Sequence, residues 1–221
     1  TALRAMKSRI VGYGFAADAA VRPETYTDLG PDGSQFSIAG FPPVHLRLIG
    51  RHQVQNALAA LAVAREYAVD PAVAVAALEA QRPSKGRMEA RTVHGATLLV
   101  DCYNANPDST RAALETLAGW PGAIRRIAVL GDMLELGAEA VRLHRETGAA
   151  TRDAALWVVG AHAGDYAAGA QRAGVETRVF PDKGALAEAL RASLAPGTVV
   201  LIKASRGAAL EDVIELLGED R

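Results

Sequence analysis

The chain has 221 residues, half of them hydrophobic, so it can bury a substantial core and is long enough for one large domain or for a small domain joined to an ordinary one. Its 24 basic and 25 acidic residues nearly cancel and form no long single-sign run, so there is neither a basic tail for nucleic acid nor a charged membrane-facing stretch. The single cysteine, Cys102, excludes an intramolecular disulfide framework and a multi-cysteine zinc site, and a reducing cytoplasm is the expected setting. No apolar run reaches the ~20 residues of a membrane helix.

The first fifty residues read as short β segments at 9–15, 35–39 and 44–49, with turn chemistry at Pro31-Asp32-Gly33 and Pro42-Pro43 between them. A helix is predicted over 53–67, alanine-rich with Val54, Leu58, Leu61 and Val63 at helical spacings, and a second over 72–79 behind Pro71. Pro83-Ser84-Lys85-Gly86 then breaks the chain and sets the expected boundary between a domain at 1–84 and one at 85–221. Strands at 88–93 and 96–101 read as a hairpin turning at His94-Gly95. Helices at 108–117, 138–152, 163–173, 183–194 and 208–217 alternate with strands at 126–130, 155–159, 177–180 and 199–203. Strands such as Ile127-Ala128-Val129-Leu130 are apolar on both faces, as a parallel sheet covered by helices requires. The predicted class is α/β: a Rossmann-like domain with a mostly parallel sheet, preceded by β segments and two helices.

In an open parallel sheet, ligands bind beyond the carboxyl ends of the strands, so the polar residues there are the candidates. The first such loop, Asp101-Cys102-Tyr103-Asn104-Ala105-Asn106-Pro107-Asp108-Ser109, concentrates a carboxylate, two amides and a hydroxyl; turn and capping chemistry explains some of these residues but not Asp101 or both asparagines. The second, Gly131-Asp132-Met133-Leu134-Glu135-Leu136-Gly137, places two carboxylates between glycines, which could orient an amine or a cation, but on spacing alone a solvated turn with Glu135 facing water is the favoured reading. The third, Lys203-Ala204-Ser205-Arg206-Gly207, sets cations before a helix start, which suits a carboxylate or phosphate and equally an exposed cationic turn. In the linker Lys85-Gly86-Arg87 the arginine fork can hold a phosphate or make an interdomain salt bridge.

Gly12-Tyr13-Gly14-Phe15-Ala16-Ala17 matches a dinucleotide fingerprint in letters only, because Pro23 and Pro31-Asp32-Gly33 leave no room for the helix that the motif must open. His45, His52, His94, His144 and His162 lack metal-ligand spacing, so no metal site is expected; His144 reads as a surface or capping histidine.

These segments in this order resemble the Mur ligases, and within them the branch that adds D-alanyl-D-alanine. The resemblance is carried by Gly50-Arg51-His52-Gln53-Val54-Gln55-Asn56-Ala57-Leu58-Ala59-Ala60, by Lys85-Gly86-Arg87-Met88-Glu89, by 101–109, by 131–137 with His144, and by Lys203-Ala204-Ser205-Arg206. It implies that 1–84 is the end of a central ATP-binding domain and 85–221 a C-terminal Rossmann-like domain. It also implies a reaction in which ATP and Mg2+ phosphorylate the terminal carboxylate of UDP-N-acetylmuramoyl-tripeptide. The amine of D-alanyl-D-alanine then attacks the acyl phosphate. By the same resemblance Asn56 meets the adenine, Arg87 the phosphates or ribose, and Asp101 the ribose hydroxyls, while Tyr103 and Asn104 shape the nucleotide pocket. Asn106, Asp132, Glu135, Lys203, Ser205 and Arg206 are the residues implied on the peptide side. Arg87, Asp101 and Lys203 are expected to face one shared cleft.

The chain departs from the family pattern at Gln53, where asparagine is usual, and at Ala204, where glycine is usual. No G-x-x-x-x-G-K-[ST] phosphate loop occurs in these residues, so the chain is expected to be a fragment that is inactive alone. Two alternatives remain open at this point: another Mur-type or folylpolyglutamate-type amide ligase, and a non-catalytic α/β binding module.

Overall fold

A computed structural model of the chain describes residues 9–218, and the chain divides after Arg82 into two compact units. In the first unit, β1 (Thr25–Asp28), β2 (Ser34–Ser37) and β3 (Val44–Leu46) form an antiparallel sheet in that order. The helix α1 (Arg51–Glu66) buries Val54, Ala57, Leu58, Leu61 and Ala62 in one cluster with Phe36, Ile38, Val44 and Leu46. Those positions repeat at i, i+3, i+4, i+7 and i+8, the single stripe by which a surface helix covers a sheet. The helix α2 (Pro71–Glu79) starts with proline behind Asp70, whose carboxylate accepts the N–H groups of Ala72 and Val73 at 2.8 and 3.3 Å.

The β segment expected at 9–15 does not form. Within it only Tyr13 makes a bridge, to Val21; Val11 and Phe15 pack against the core of the first unit while Ile10 and Tyr13 are exposed, so the segment lies on the core without a strand partner along its length. The sheet's first strand is instead β1, whose sequence Thr-Tyr-Thr-Asp shows no apolar alternation because only Tyr26 is partly buried.

The second unit contains β4 (Glu89–Val93), β5 (Ala96–Asp101), α3 (Pro107–Ala118), β6 (Arg125–Leu130), α4 (Ala140–Ala149) and β7 (Ala155–Val159). These are followed by α5 (Ala163–Arg172), β8 (Thr177–Phe180), α6 (Lys183–Arg191), β9 (Thr198–Lys203) and α7 (Asp212–Leu217). The six strands lie in the order β4-β5-β9-β6-β7-β8, with only β4 and β5 antiparallel. His94 and Gly95 between β4 and β5 both have positive φ, 48° and 76°, the geometry of a tight I′ hairpin turn. Leu98, Val100, Ile127, Val129, Trp157, Val200 and Ile202 form a core with Leu186 and Leu190 of α6 and Val213 and Leu217 of α7. The intervening Leu99, Ala128, Leu130, Leu156, Val158 and Leu201 are buried as well, so helices cover both faces of the sheet. Among the described residues, no helix is long and apolar enough to cross a membrane.

Two helices begin later than their hydrophobic pattern suggests. The segment expected to be helical over 138–152 opens with a 3-10 turn, Gly137–Glu139, before α4. The segment expected over 208–217 is helical only from Asp212, because a 3-10 turn at Arg206–Ala208 is followed by Ala209 in the left-handed region (φ 47°).

Candidate functional site

Strand β9 lies between β5 and β6, and its register sets Lys203 opposite Asp101 on one side and Leu130 on the other. The tip of β9 therefore adjoins the loops that leave both neighbours. Every residue of β9 is buried, which explains its apolar sequence, and Lys203 can end it only because its charge is matched. Its ammonium donates to Asp101 Oδ2 at 2.6 Å and to the Asn104 carbonyl at 2.9 Å, with the lysine side chain 1% exposed and that of Asp101 16%. The other Asp101 oxygen accepts the Met88 N–H at 3.3 Å. Next to this pair, burial pushes the Cys102 thiol up to about 12, which leaves it protonated and unreactive near neutral pH.

Ser205 ties the three loops together. Its hydroxyl donates to the Ala105 carbonyl at 3.2 Å and accepts the Leu134 N–H at 2.9 Å, and its own N–H donates to the Asp132 carbonyl at 3.0 Å. Gly131 N–H donates to Lys203 O at 2.9 Å. A Cβ on Gly131 would stand 2.9 Å from that of Ala204, so alanine at 204 demands glycine at 131. Both carboxylate oxygens of Asp132 are taken by backbone donors, Oδ2 by Ala161 N–H and Oδ1 by His162 N–H, each at 2.9 Å. Asp132 thus orders its loop in this structure. Glu135 stands exposed at the loop's tip with φ 64°, a left-handed backbone that is uncommon for a residue other than glycine.

His144 is buried rather than a surface or capping residue: it is 0% exposed. Nδ1 lies 2.6 Å from the Ala140 carbonyl and Nε2 accepts the Met133 N–H at 3.0 Å, so the ring is neutral with its proton on Nδ1. Its surroundings, a stacked His162 at 4.2 Å and the edge of Tyr166 at 4.8 Å, come from the turn before α5 and from α5 itself. Tyr166 donates to the Gly131 carbonyl at 3.1 Å, and burial raises its pKa. Sequence reasoning missed Tyr166 and His162 here. The only signal was the helical spacing Tyr166-Ala167-Ala170, which describes burial and not what is touched.

On the solvent side, Tyr103 is the exposed centre. The Arg87 guanidinium lies 3.9 Å from its ring centroid and that of Arg206 5.7 Å, and the Tyr103 N–H donates to Gly86 O at 2.9 Å. Lys85, Gly86, Cys102, Tyr103, Arg206 and Glu211 help to line a cavity of about 580 Å³. Asn104 Oδ1 accepts the Ala105 N–H at 2.8 Å. Asn106 caps α3 in a reciprocal box with Ser109, at 2.8 and 3.1 Å. Asn56 belongs to the first unit, exposed on α1 with its amide 3.3 Å from Gln53 Oε1. Of the residues singled out in the sequence, the second unit thus gathers Arg87, Tyr103 and Arg206 on its exposed side, and Asp101, Lys203 and Ser205 beneath them in one hydrogen-bonded network. Lys203 and Ser205 face inward, with their polar atoms engaged by protein.

The fold is that of a Rossmann-like α/β domain with its polar side chains assembled at the carboxyl ends of parallel strands. The family model described as Mur ligase, glutamate ligase domain, matches residues 86–206, more than half of the chain, and the chain belongs to the Mur ligase family. It is 43% identical over 204 residues to the UDP-N-acetylmuramoyl-tripeptide--D-alanyl-D-alanine ligase of Mycobacterium bovis, covering 80% of this chain and 40% of that protein. It is 36% identical over 194 residues to the enzyme of the same name from Escherichia coli, covering 85% of this chain and 42% of that protein. Among solved structures, MurF from Acinetobacter baumannii superposes with a TM-score of 0.80 at 26% identity, over 91% of this chain and 45% of that one. The chain spans about 40% of the length of the curated relatives it matches.

Proposed function

We propose that this chain serves in an ATP-dependent ligase that joins D-alanyl-D-alanine to UDP-N-acetylmuramoyl-tripeptide, in the cytoplasm where both nucleotides are available. The observation that carries this reading is the network joining the 85–87, 101–106, 131–137 and 203–206 segments at one end of the sheet. It occurs in a chain 43% identical to a protein of that name.

The chemistry asks for three things. Phosphate and carboxylate charge must be neutralised, the attacking amine must be oriented, and water must be kept from the acyl phosphate. Arg87 and the ring of Tyr103 offer a cation and a flat face to the nucleotide, and Asp101 offers its carboxylate to the ribose hydroxyls, with Asn104 shaping the loop. Lys203 and Ser205 hold that loop rather than touch the peptide. Arg206 suits a peptide carboxylate, Glu135 suits the ammonium of the dipeptide, and Asn106 and Asp132 support the loops that present them. No group of three His, Cys, Asp or Glu side chains among the described residues could hold a metal ion, so these residues do not by themselves fit the Mg2+ that the resemblance implies. Without a phosphate loop to grip the transferred group, the 221 residues alone are read as inactive.

The test is substitution in a full-length ligase carrying this chain. Arg87→Ala is expected to lower kcat/KM for ATP roughly ten- to a hundredfold, the loss of one charge-assisted contact, and Asp101→Ala at least as much, because it also strands the buried Lys203 ammonium. Ligation that is unchanged in both variants would overturn the nucleotide assignment.

A further inference from the structure

Hydrogen bonds from several elements fix the loop 131–137. The Asp132 carboxylate accepts two, the Ser205 hydroxyl accepts one from Leu134 N–H, and backbone or tyrosine donors tie Gly131 and the Asp132 carbonyl to Lys203, Tyr166 and Ser205; a further bond joins the Met133 N–H to His144 Nε2. That last bond differs in kind, because an imidazole nitrogen accepts only while it carries no proton. We propose that His144 is the positioning residue of this loop, latching Met133 as the neutral Nδ1–H tautomer and releasing it on protonation. The consequence for substrate binding rests on reading 131–137 as a substrate-facing loop; the latch itself does not.

Protonated His144 would carry N–H on both nitrogens. Nδ1–H would keep its bond to Ala140 O, but Nε2–H would point at the Met133 N–H from 3.0 Å, donor against donor. One of the two must move, and the 0% exposed ring has no solvent to turn towards. The charged and titratable groups around it come from several elements. From the loop after β6 there is Asp132, already bound by Ala161 and His162 N–H. From the start of α5 there are His162, stacked at 4.2 Å, Asp165, which bonds His162 Nδ1 at 3.0 Å, and Tyr166. On α4 itself Arg145 pairs with Asp165 at 3.1 Å. On α3, which also packs against α4, Asp108, Arg111 and Glu115 are exposed. Asp132 and Asp165 favour a charged His144, but burial outweighs them and holds its pKa below the ordinary 6.5.

The sign follows from that depression. The latch is closed at neutral pH and opens as the pH falls through the folded-state pKa. The unfolded chain takes up its proton earlier, so stability also declines below the ordinary histidine value.

The experiment is nitrogen-15 NMR on this chain. At neutral pH the His144 ring is expected as the Nδ1–H tautomer. The Met133 amide is expected to lose protection against hydrogen exchange by about tenfold or more as His144 titrates, the worth of one hydrogen bond, after correction for the intrinsic rate. Val129 in the sheet should not follow. An Nε2–H tautomer, or Met133 protection indifferent to the titration, would overturn the proposal. In His144→Gln the side-chain oxygen can accept but cannot titrate, and Met133 should stay protected at low pH; if that variant does not fold, the two wild-type measurements still decide. In a full-length ligase, KM for the dipeptide should rise on acidification in the wild type and not in His144→Gln. A latch that opens while KM stays level would refute the role given to the loop and leave the latch standing.

Discussion

Lys203 ends a strand in which every residue is buried, and the two acceptors at 2.6 and 2.9 Å are what make its charge tolerable there. Isolated from its partners, a buried ammonium costs far more than the hydrophobic burial of its stem returns. A matched pair roughly breaks even against an apolar pair of the same shape, whereas removing one partner strands the other, typically at about 3–5 kcal/mol. Because Asp101 keeps some contact with water, its loss of partner should fall at the low end of that range. Lys203→Met is therefore expected to destabilise the chain by about 3 kcal/mol in urea unfolding, and adding Asp101→Asn should restore part of it. A cost below about 1 kcal/mol for the single variant would mean that the pair does not organise the strand tips. None of this was visible from the segment Lys203-Ala204-Ser205-Arg206, which reads as cationic turn or anion site. The deciding contacts of Lys203 and Ser205 lie about a hundred residues away, at Asp101, Asn104 and Ala105.

The helices α4 and α5 form the closest helix pair in the second unit, and two glycines permit it. A Cβ on Gly148 would lie 2.1 Å from the Tyr166 carbonyl oxygen, and one on Gly169 would lie 1.8 Å from that of Arg145. Both atoms are backbone, so neither can swing aside. The close approach has a purpose that can be traced, since α4 carries His144 and α5 carries Tyr166, whose rings meet at 4.8 Å. Moving the helices apart would loosen the residues that hold 131–137. Gly169→Ala gains about 1 kcal/mol of helix propensity but forces the helices apart, and overpacking of this severity outweighs that gain. The expected result is a net loss of about 2–3 kcal/mol in unfolding, with faster exchange at Met133; a variant as stable as its parent would refute the tight crossing. Hydrophobic periodicity located both helices, but a mid-helix glycine carries no hydrophobic signal, so the crossing itself had no signature.

Across the whole chain, the strands after residue 85 were legible because a parallel strand covered on both faces must be a short apolar run, as at Ile127-Ala128-Val129-Leu130 and Val199-Val200-Leu201-Ile202. Their spatial order was not: β9, last in sequence, sits between β5 and β6, a choice made by packing among helices and not written in any one segment. In the first unit the polar strand β1 went unseen and 9–15 was overread, since exposed edges lack the alternation on which such readings depend. The candidate site was legible as a set of residues, through the order of motifs along the chain. The division of labour within it, with Lys203, Ser205, Asp132 and His144 holding and Arg87, Tyr103, Glu135 and Arg206 exposed, appears only in three dimensions.

The proposed activity is tested most sharply by an acceptor screen with a full-length ligase carrying this chain, supplied with ATP and UDP-N-acetylmuramoyl-tripeptide. Product is expected with D-alanyl-D-alanine and not with single amino acids such as glutamate. Ligation of a single amino acid, with the dipeptide refused, would overturn the proposal and assign the strand-tip loops to a different member of the family.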